Sequence, residues 1–136
     1  YYDETHTATW PAQVVNYTAK TQYIFRINKQ VLDVNDDADL NKYVPQTERP
    51  IPFERMIYIA DGLTDVPCMR LVKEYGGKSI AVYSSNNAVA KSLKDVGRVN
   101  YIAKADYSSG SEMEQIVQSI LDHMKADEVL KKYEEK

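Results

Sequence analysis

The chain has 136 residues, 43% of them hydrophobic and 27% charged, enough for one domain with a real core and too few for two comfortable ones. With 17 Lys and Arg against 20 Asp and Glu, the net charge is −3, which excludes a basic field for nucleic acid and is too mild for an acidic solvating tail. One cysteine, Cys68, excludes an internal disulfide and fits a reducing compartment, so cytoplasmic placement is expected; the sequence shows neither a membrane-length apolar run nor a signal peptide.

Residues 1–10 are polar with interspersed aromatics. Gln13–Tyr17 reads as a short strand. A helix is expected from near Thr18, with Ile24, Ile27 and Val31 at helical spacing. Residues 33–55 read as a long polar connection broken by Pro45, Pro50 and Pro52. Met56–Ala60 is a continuous apolar run suited to a parallel strand covered on both faces. The next helix is expected over Val66–Tyr75, with Pro67 in its first turn and Gly76-Gly77 at its end.

The alternation then repeats. Ser79–Tyr83 is a strand, Ser85-Asn86 caps a helix through about Asp95, and Val99–Ala103 is a strand. Ser111-x-x-Glu114 is a capping-box signature opening a helix with Met113, Ile116, Val117, Ile120, Leu121 and Met124 on its apolar side; the charged tail from Lys125 continues it. Three apolar strands alternating with helices predict an α/β fold, a partial Rossmann-like parallel sheet flanked by helices, in a single domain over 1–136.

The segment Ile59-Ala60-Asp61-Gly62-Leu63-Thr64-Asp65-Val66-Pro67-Cys68-Met69 runs from a strand, through two acidic residues four apart on a glycine turn, into a helix. In open α/β sheets ligands bind at the carboxyl ends of the strands. Two carboxylates about 5 Å apart repel by about 3 kcal/mol at an effective dielectric near 20, which a divalent cation would relieve. Magnesium accepts one or two carboxylates together with water and phosphate. The alternative is a purely local role, with Asp61 starting a turn and Asp65 capping a helix.

The same segment closely resembles the fourth motif of the haloacid-dehalogenase-like (HAD) hydrolases, which reads apolar strand, Gly-Asp-Gly-x-x-Asp, then a small residue and often methionine. Ala60 stands where the family commonly has glycine. Ser79–Tyr83 and Tyr101-Ile102-Ala103-Lys104-Ala105-Asp106-Tyr107 also look like the family's closing segments. The resemblance implies that Asp61 and Asp65 bind Mg²⁺, directly or through water. It further implies a motif lysine near a helix start, upstream of the acidic pair, that neutralises charge on the nucleophile and phosphoryl group. Lys20 is the best match and Lys29 the runner-up.

The family's nucleophile lies in an Asp-x-Asp-x-Thr or Val motif after an N-terminal strand, followed by a Thr or Ser motif, and both precede the lysine. The first aspartate forms an aspartyl-phosphate and the second is the general acid and base. Only 19 residues precede Lys20, and they supply neither motif. Val31-Leu32-Asp33-Val34-Asn35-Asp36 is not a substitute, since it lacks the second aspartate and follows Lys20. It also resembles the start of a calcium loop, but Ala38 and Val44 stand where glycine and glutamate are required. A solvated acidic loop is the expected reading.

The implied protein is therefore the C-terminal half of a HAD-like core, supplying metal carboxylates and a phosphate-side lysine to a Mg²⁺-dependent phosphate monoester hydrolase. A chain starting at Tyr1 is expected to be an excised or cleaved piece. The absent strand would lie beside Met56–Ala60, so an N-terminal companion fragment or a second copy of the chain is the expected partner. The substrate would be a small phosphorylated molecule, with no nucleic acid and no membrane engaged. The alternative is a non-catalytic α/β module that self-associates through an open sheet edge.

Overall fold

A computed structural model describes residues 1–11, 13–16 and 19–135. The chain divides into two compact units, Tyr1–Pro50 and Ile51–Lys136.

The first unit opens with a turn-back of the chain. Tyr2 and Ala8 form an antiparallel bridge, and the Asp3 carboxylate accepts hydrogen bonds from the Thr5 hydroxyl and from the Thr5 and Thr7 amides. The strand expected over Gln13–Tyr17 does not form: residues 13–16 are exposed and irregular, and Tyr17 lies outside the described residues. Among the described residues no strand pairs with this segment, and the Asn16 carbonyl instead accepts from the Ala19 and Lys20 amides ahead of α1.

Helix α1 spans Lys20–Lys29; Thr18, its expected start, lies outside the described residues. It buries Ile24, while Ile27 is 49% exposed and Val31 falls beyond the helix end. Gln30 closes the helix in the left-handed region (φ 55°), with the amide of Gln30 bonded to Ile27 O and that of Val31 to Arg26 O. This is a Schellman closure with glutamine in the usual glycine position.

The connection over 33–55 is less irregular than its prolines imply. Helix α2 spans Asp37–Asn41, and Asp36 caps it by accepting from the Asp39 amide at 3.0 Å. Single 3₁₀ turns follow Pro45 and Pro52. Lys29 Nζ donates to Leu40 O at 2.7 Å and Lys42 O at 3.0 Å, placing a cation on the carbonyls at the end of α2. Arg49 reaches the buried Asn28, donating from Nη1 to Oδ1 at 2.8 Å.

The loop between α1 and α2 is built on Arg26, which is only 2% exposed. Its Nη1 donates to Asp33 O at 2.7 Å, Asp36 O at 3.3 Å and Val31 O at 3.4 Å; its Nη2 donates to Asp37 Oδ1 at 2.9 Å and Val34 O at 3.2 Å. In the stretch that resembles the start of a calcium loop, the backbone carbonyls converge on a guanidinium.

The second unit contains the parallel sheet. Strands β1 (Ile57–Ala60), β2 (Lys78–Tyr83) and β3 (Tyr101–Lys104) lie in the order β1-β2-β3. Ile57 pairs with Lys78 and Ala60 with Ala81; Ile80 pairs with Tyr101 and Tyr83 with Lys104. Helix α3 (Val66–Glu74) connects β1 to β2, α4 (Ala88–Asp95) connects β2 to β3, and α5 (Glu112–Glu134) follows β3. The fold is α/β, a parallel sheet flanked by helices, as a partial Rossmann-like arrangement requires.

Alternation along the strands divides the core. Tyr58, Ala60, Ala81, Tyr83 and Ile102 pack with Met69 of α3 and Ala90 and Leu93 of α4. Ile57, Ile80, Val82, Tyr101 and Ala103 pack on the other side with Met113, Ile116, Val117, Ile120 and Met124 of α5. Leu121, assigned to that apolar side from periodicity, is 47% exposed. Val99 is core but precedes β3, which starts two residues later than its apolar run.

The helix ends follow local chemistry. Ser111 caps α5, its hydroxyl accepting from the Glu114 amide at 3.2 Å, while the Glu114 carboxylate accepts from the Gly110 amide. Asn87 rather than Ser85 or Asn86 is the N-cap of α4, and the Asn86 side chain accepts from the Ala88 amide at 2.9 Å. Gly76 (φ 97°) and Gly77 end α3, with the Gly77 amide bonded to Val72 O at 2.8 Å. A Cβ on Gly77 would lie 2.4 Å from Phe53 O and 2.5 Å from Val72 Cγ1, so this glycine is required by close packing.

Candidate functional site

Asp61 follows the last residue of β1 and is exposed. It therefore stands at the carboxyl edge of the sheet, the side on which open α/β folds bind ligands. Because Ala60 pairs with Ala81, β2 runs two residues further, to Tyr83. The polar Ser84-Ser85-Asn86-Asn87 loop leaves the sheet on the same side as Asp61.

From Asp61 the backbone passes through Gly62 into a 3₁₀ turn over Leu63–Asp65 and directly into α3, with Pro67 in its first turn. Gly62 has φ −114°, and a Cβ there would make ordinary contacts of 3.5 Å with Asp65 Oδ2 and 3.6 Å with Thr64 Oγ1. The turn therefore does not require glycine, contrary to the tight glycine turn read from the sequence.

Asp65 lies on the same turn in a different environment. It is 7% exposed, and its Oδ1 accepts a hydrogen bond from the Tyr58 hydroxyl at 2.9 Å. It occupies the N-cap position of α3 but makes no side-chain cap bond, so the helix-capping alternative is not its role. Burial, then the hydrogen bond to Asp65, then that to Cys68, push the Tyr58 phenol above its ordinary range. Tyr58 consequently stays protonated and remains a donor. Cys68 is 1% exposed in the next helical turn.

Tyr58 is the residue that pattern reading passed over. Its signal was a tyrosine within the apolar run Met56–Ala60, since a buried phenol requires a hydrogen-bond partner. The acid seven residues later supplies it.

The donor chemistry of the turn fits a hard cation. Asp61 offers an exposed carboxylate, and Asp65 a second one with one oxygen already engaged. Among the described residues, no group of three or more His, Cys, Asp or Glu is arranged to hold a metal. Two carboxylates are the protein share that magnesium accepts when water and phosphate complete its octahedron. Asp61 and Asp65 would hold it.

Lys20 belongs to the first unit. It is the first residue of α1 and partly buried, so the expected helix-start position is met. Lys29, the runner-up, is committed to the carbonyls at the end of α2. A groove of about 570 Å³ in the second unit is lined by Lys78 and Tyr101, the first residues of β2 and β3, and by Ile116 and His123 of α5. It reaches the amino ends of the strands, whereas Asp61 follows the carboxyl end of β1. Among the described residues, no helix is long and apolar enough to cross a membrane.

No protein-family model matches the chain, and no solved structure matches it. A Borreliella burgdorferi protein, described only as uncharacterized, is 35% identical over 102 residues, covering 73% of this chain and 34% of that protein. The chain thus spans about a third of the length of this relative.

Proposed function

We propose that the chain is the C-terminal catalytic half of a Mg²⁺-dependent, HAD-like phosphate monoester hydrolase. Asp61 and Asp65 hold the metal, and Lys20 supplies positive charge on the phosphate side. The nucleophile comes from a segment outside this sequence. One observation carries the reading: an exposed Asp61 at the carboxyl end of a parallel strand, with a second carboxylate on the same turn into α3. The bound ion would neutralise charge between carboxylates and phosphate. Asp61 would hold the ion at the sheet edge, and the resemblance alone gives the Lys20 ammonium the task of offsetting charge on the phosphoryl oxygens.

The aligned stretch covers 34% of the longer relative, which leaves room in such a protein for a nucleophile segment. A buried, unoxidised Cys68 suits cytoplasmic placement. The test pairs this chain with a candidate companion segment carrying an Asp-x-Asp-x-Thr or Val motif and follows Mg²⁺-dependent hydrolysis of p-nitrophenyl phosphate. Turnover by the pair, none by this chain alone, and loss on Asp61→Asn are expected. A completed protein equally active as Asp61→Asn overturns the assignment.

A second reading, a non-catalytic module that self-associates, draws on a different observation. Among the described residues β1 pairs with β2 alone, and Ile59 on that strand is 39% exposed. A strand edge of this kind is a template for another strand. Sedimentation separates the readings: a second copy gives a concentration-dependent dimer, and a companion fragment gives a 1:1 complex that suppresses it. Intact-mass spectrometry of protein purified from its source identifies any companion.

A further inference from the structure

We infer that Tyr58 is a positioning residue for the carboxylate turn: its hydroxyl fixes Asp65, and through the Gly62–Asp65 turn it sets where Asp61 presents its carboxylate. The inference rests on the metal-binding reading above and deepens it by dividing the labour between the two acids.

The argument starts from burial. A carboxylate excluded from water is held only where donors replace that water. Asp65 is 7% exposed, and the Tyr58 hydroxyl meets its Oδ1 at 2.9 Å. Tyr58 itself cannot wander, because β1 is paired to β2 through Tyr58↔Ser79, and the ring packs in the core shared with Met69 and Ala81. One end of the hydrogen bond is thus anchored in the sheet.

The other end anchors a short turn. The Asp65 amide donates to Gly62 O at 3.1 Å, and Asp65 Oδ2 lies over Gly62, 3.5 Å from where a Cβ would sit. Asp65 therefore closes the turn through its backbone amide while its side chain is tied to β1 through Tyr58, and Asp61 is the residue immediately before the turn. Asp61, exposed, would hold the ion directly, and Asp65, enclosed, would hold it through water. Hydrogen-bond partners behind a metal's ligands orient them, and their loss costs ten- to a hundredfold in metal affinity.

The experiment uses the whole 136-residue chain and Mn²⁺ as the probe, read by paramagnetic broadening of the backbone amide resonances of residues 61–65. Wild type broadens there selectively, Asp61→Asn does not, and Tyr58→Phe requires about tenfold more Mn²⁺ or beyond while keeping a dispersed amide spectrum. Leu93→Ala, which loosens the core that Tyr58 packs against while leaving the hydroxyl and its partners in place, keeps a response close to wild type. If Tyr58→Phe does not fold, Tyr58→Met, which also lacks the hydroxyl, is read in its place.

A folded hydroxyl-less variant that broadens at the wild-type Mn²⁺ concentration overturns the positioning role and leaves the metal reading standing. Equal loss in Leu93→Ala and Tyr58→Phe overturns it too, by assigning the effect to general loosening of the core. Wild type and Asp61→Asn broadening alike at residues 61–65 overturns the metal reading and the positioning role together.

Discussion

The Tyr58 hydroxyl lies 2.9 Å from Asp65 Oδ1, joining a residue inside β1 to the turn that leaves it. The two acids of this segment are consequently unequal: Asp61 is exposed and Asp65 is enclosed. That inequality makes their substitutions distinguishable.

Replacing Asp61 by Asn removes a charge from the surface and no contact from the core. Stability is expected to stay within about 0.5 kcal/mol of wild type, while Mg²⁺-dependent hydrolysis by the completed protein falls at least a hundredfold, roughly the scale of a lost electrostatic stabiliser. Thermal unfolding and phosphatase assays on the same preparation check both halves.

Replacing Asp65 by Ala leaves the Tyr58 hydroxyl without its acceptor and opens space under the turn. A cost of about 1–3 kcal/mol is expected, the usual range for a buried polar group left unmade. Urea unfolding followed by circular dichroism measures it, and an unchanged midpoint would refute the brace.

Much of the second unit was legible because its chemistry is local. The runs Met56–Ala60 and Ser79–Tyr83, the Ser111–Glu114 cap and the Gly76-Gly77 stop each act within a few residues of themselves. The first unit was harder to read because Arg26 gathers carbonyls five to ten residues away, and no periodicity encodes that. Helix α2 depends on the same interaction through Asp37. In the site, the acidic pair was visible as spacing, but the enclosure of one member was not. It follows from a tyrosine hidden within an apolar run.

The two glycines near functional and structural turns are expected to respond in opposite ways. Gly77→Ala places a Cβ 2.4 Å from Phe53 O and forces the backbone apart, at about 1–3 kcal/mol or more. Gly62→Ala meets only ordinary contacts, with the nearest atom at 3.5 Å, and stays within about 0.5 kcal/mol. Denaturation midpoints of the two variants, run together, decide the matter.

Arg26→Leu removes the shared donor of four carbonyls and the Asp37 carboxylate. A loss of about 1–3 kcal/mol is expected, because several part-buried acceptors lose their shared donor at once. The loss should be local: amide exchange over residues 31–41 accelerates, while β2 of the second unit keeps its protection.

Helix α5 is tethered near its end by Arg55–Glu128 at 3.0 Å and Lys131–Glu54 at 2.5 Å. The hydrogen bond from Arg55 holds Glu128 below its ordinary carboxylate range. Its contribution is therefore present above the unfolded carboxyl pKa and is lost as pH falls through the folded value. The bond to Glu54 raises Lys131, whose contribution is complete below the ordinary lysine pKa and is lost as pH climbs through the raised one. Amide exchange of residues 125–134 is expected to be slowest near neutral pH and faster, after correction for intrinsic rates, near pH 3. Flat protection across that range would show that the tethers are not used.

The convergence of carbonyls on Arg26 gives the loop over residues 31–37 a counter-ion that travels with the chain. A bound ion is present only as far as its concentration and affinity allow, and a chelator or a competing cation can remove it. A guanidinium tethered through its own helix is present at one equivalent at every dilution. Order in this loop accordingly has a source that needs no divalent ion.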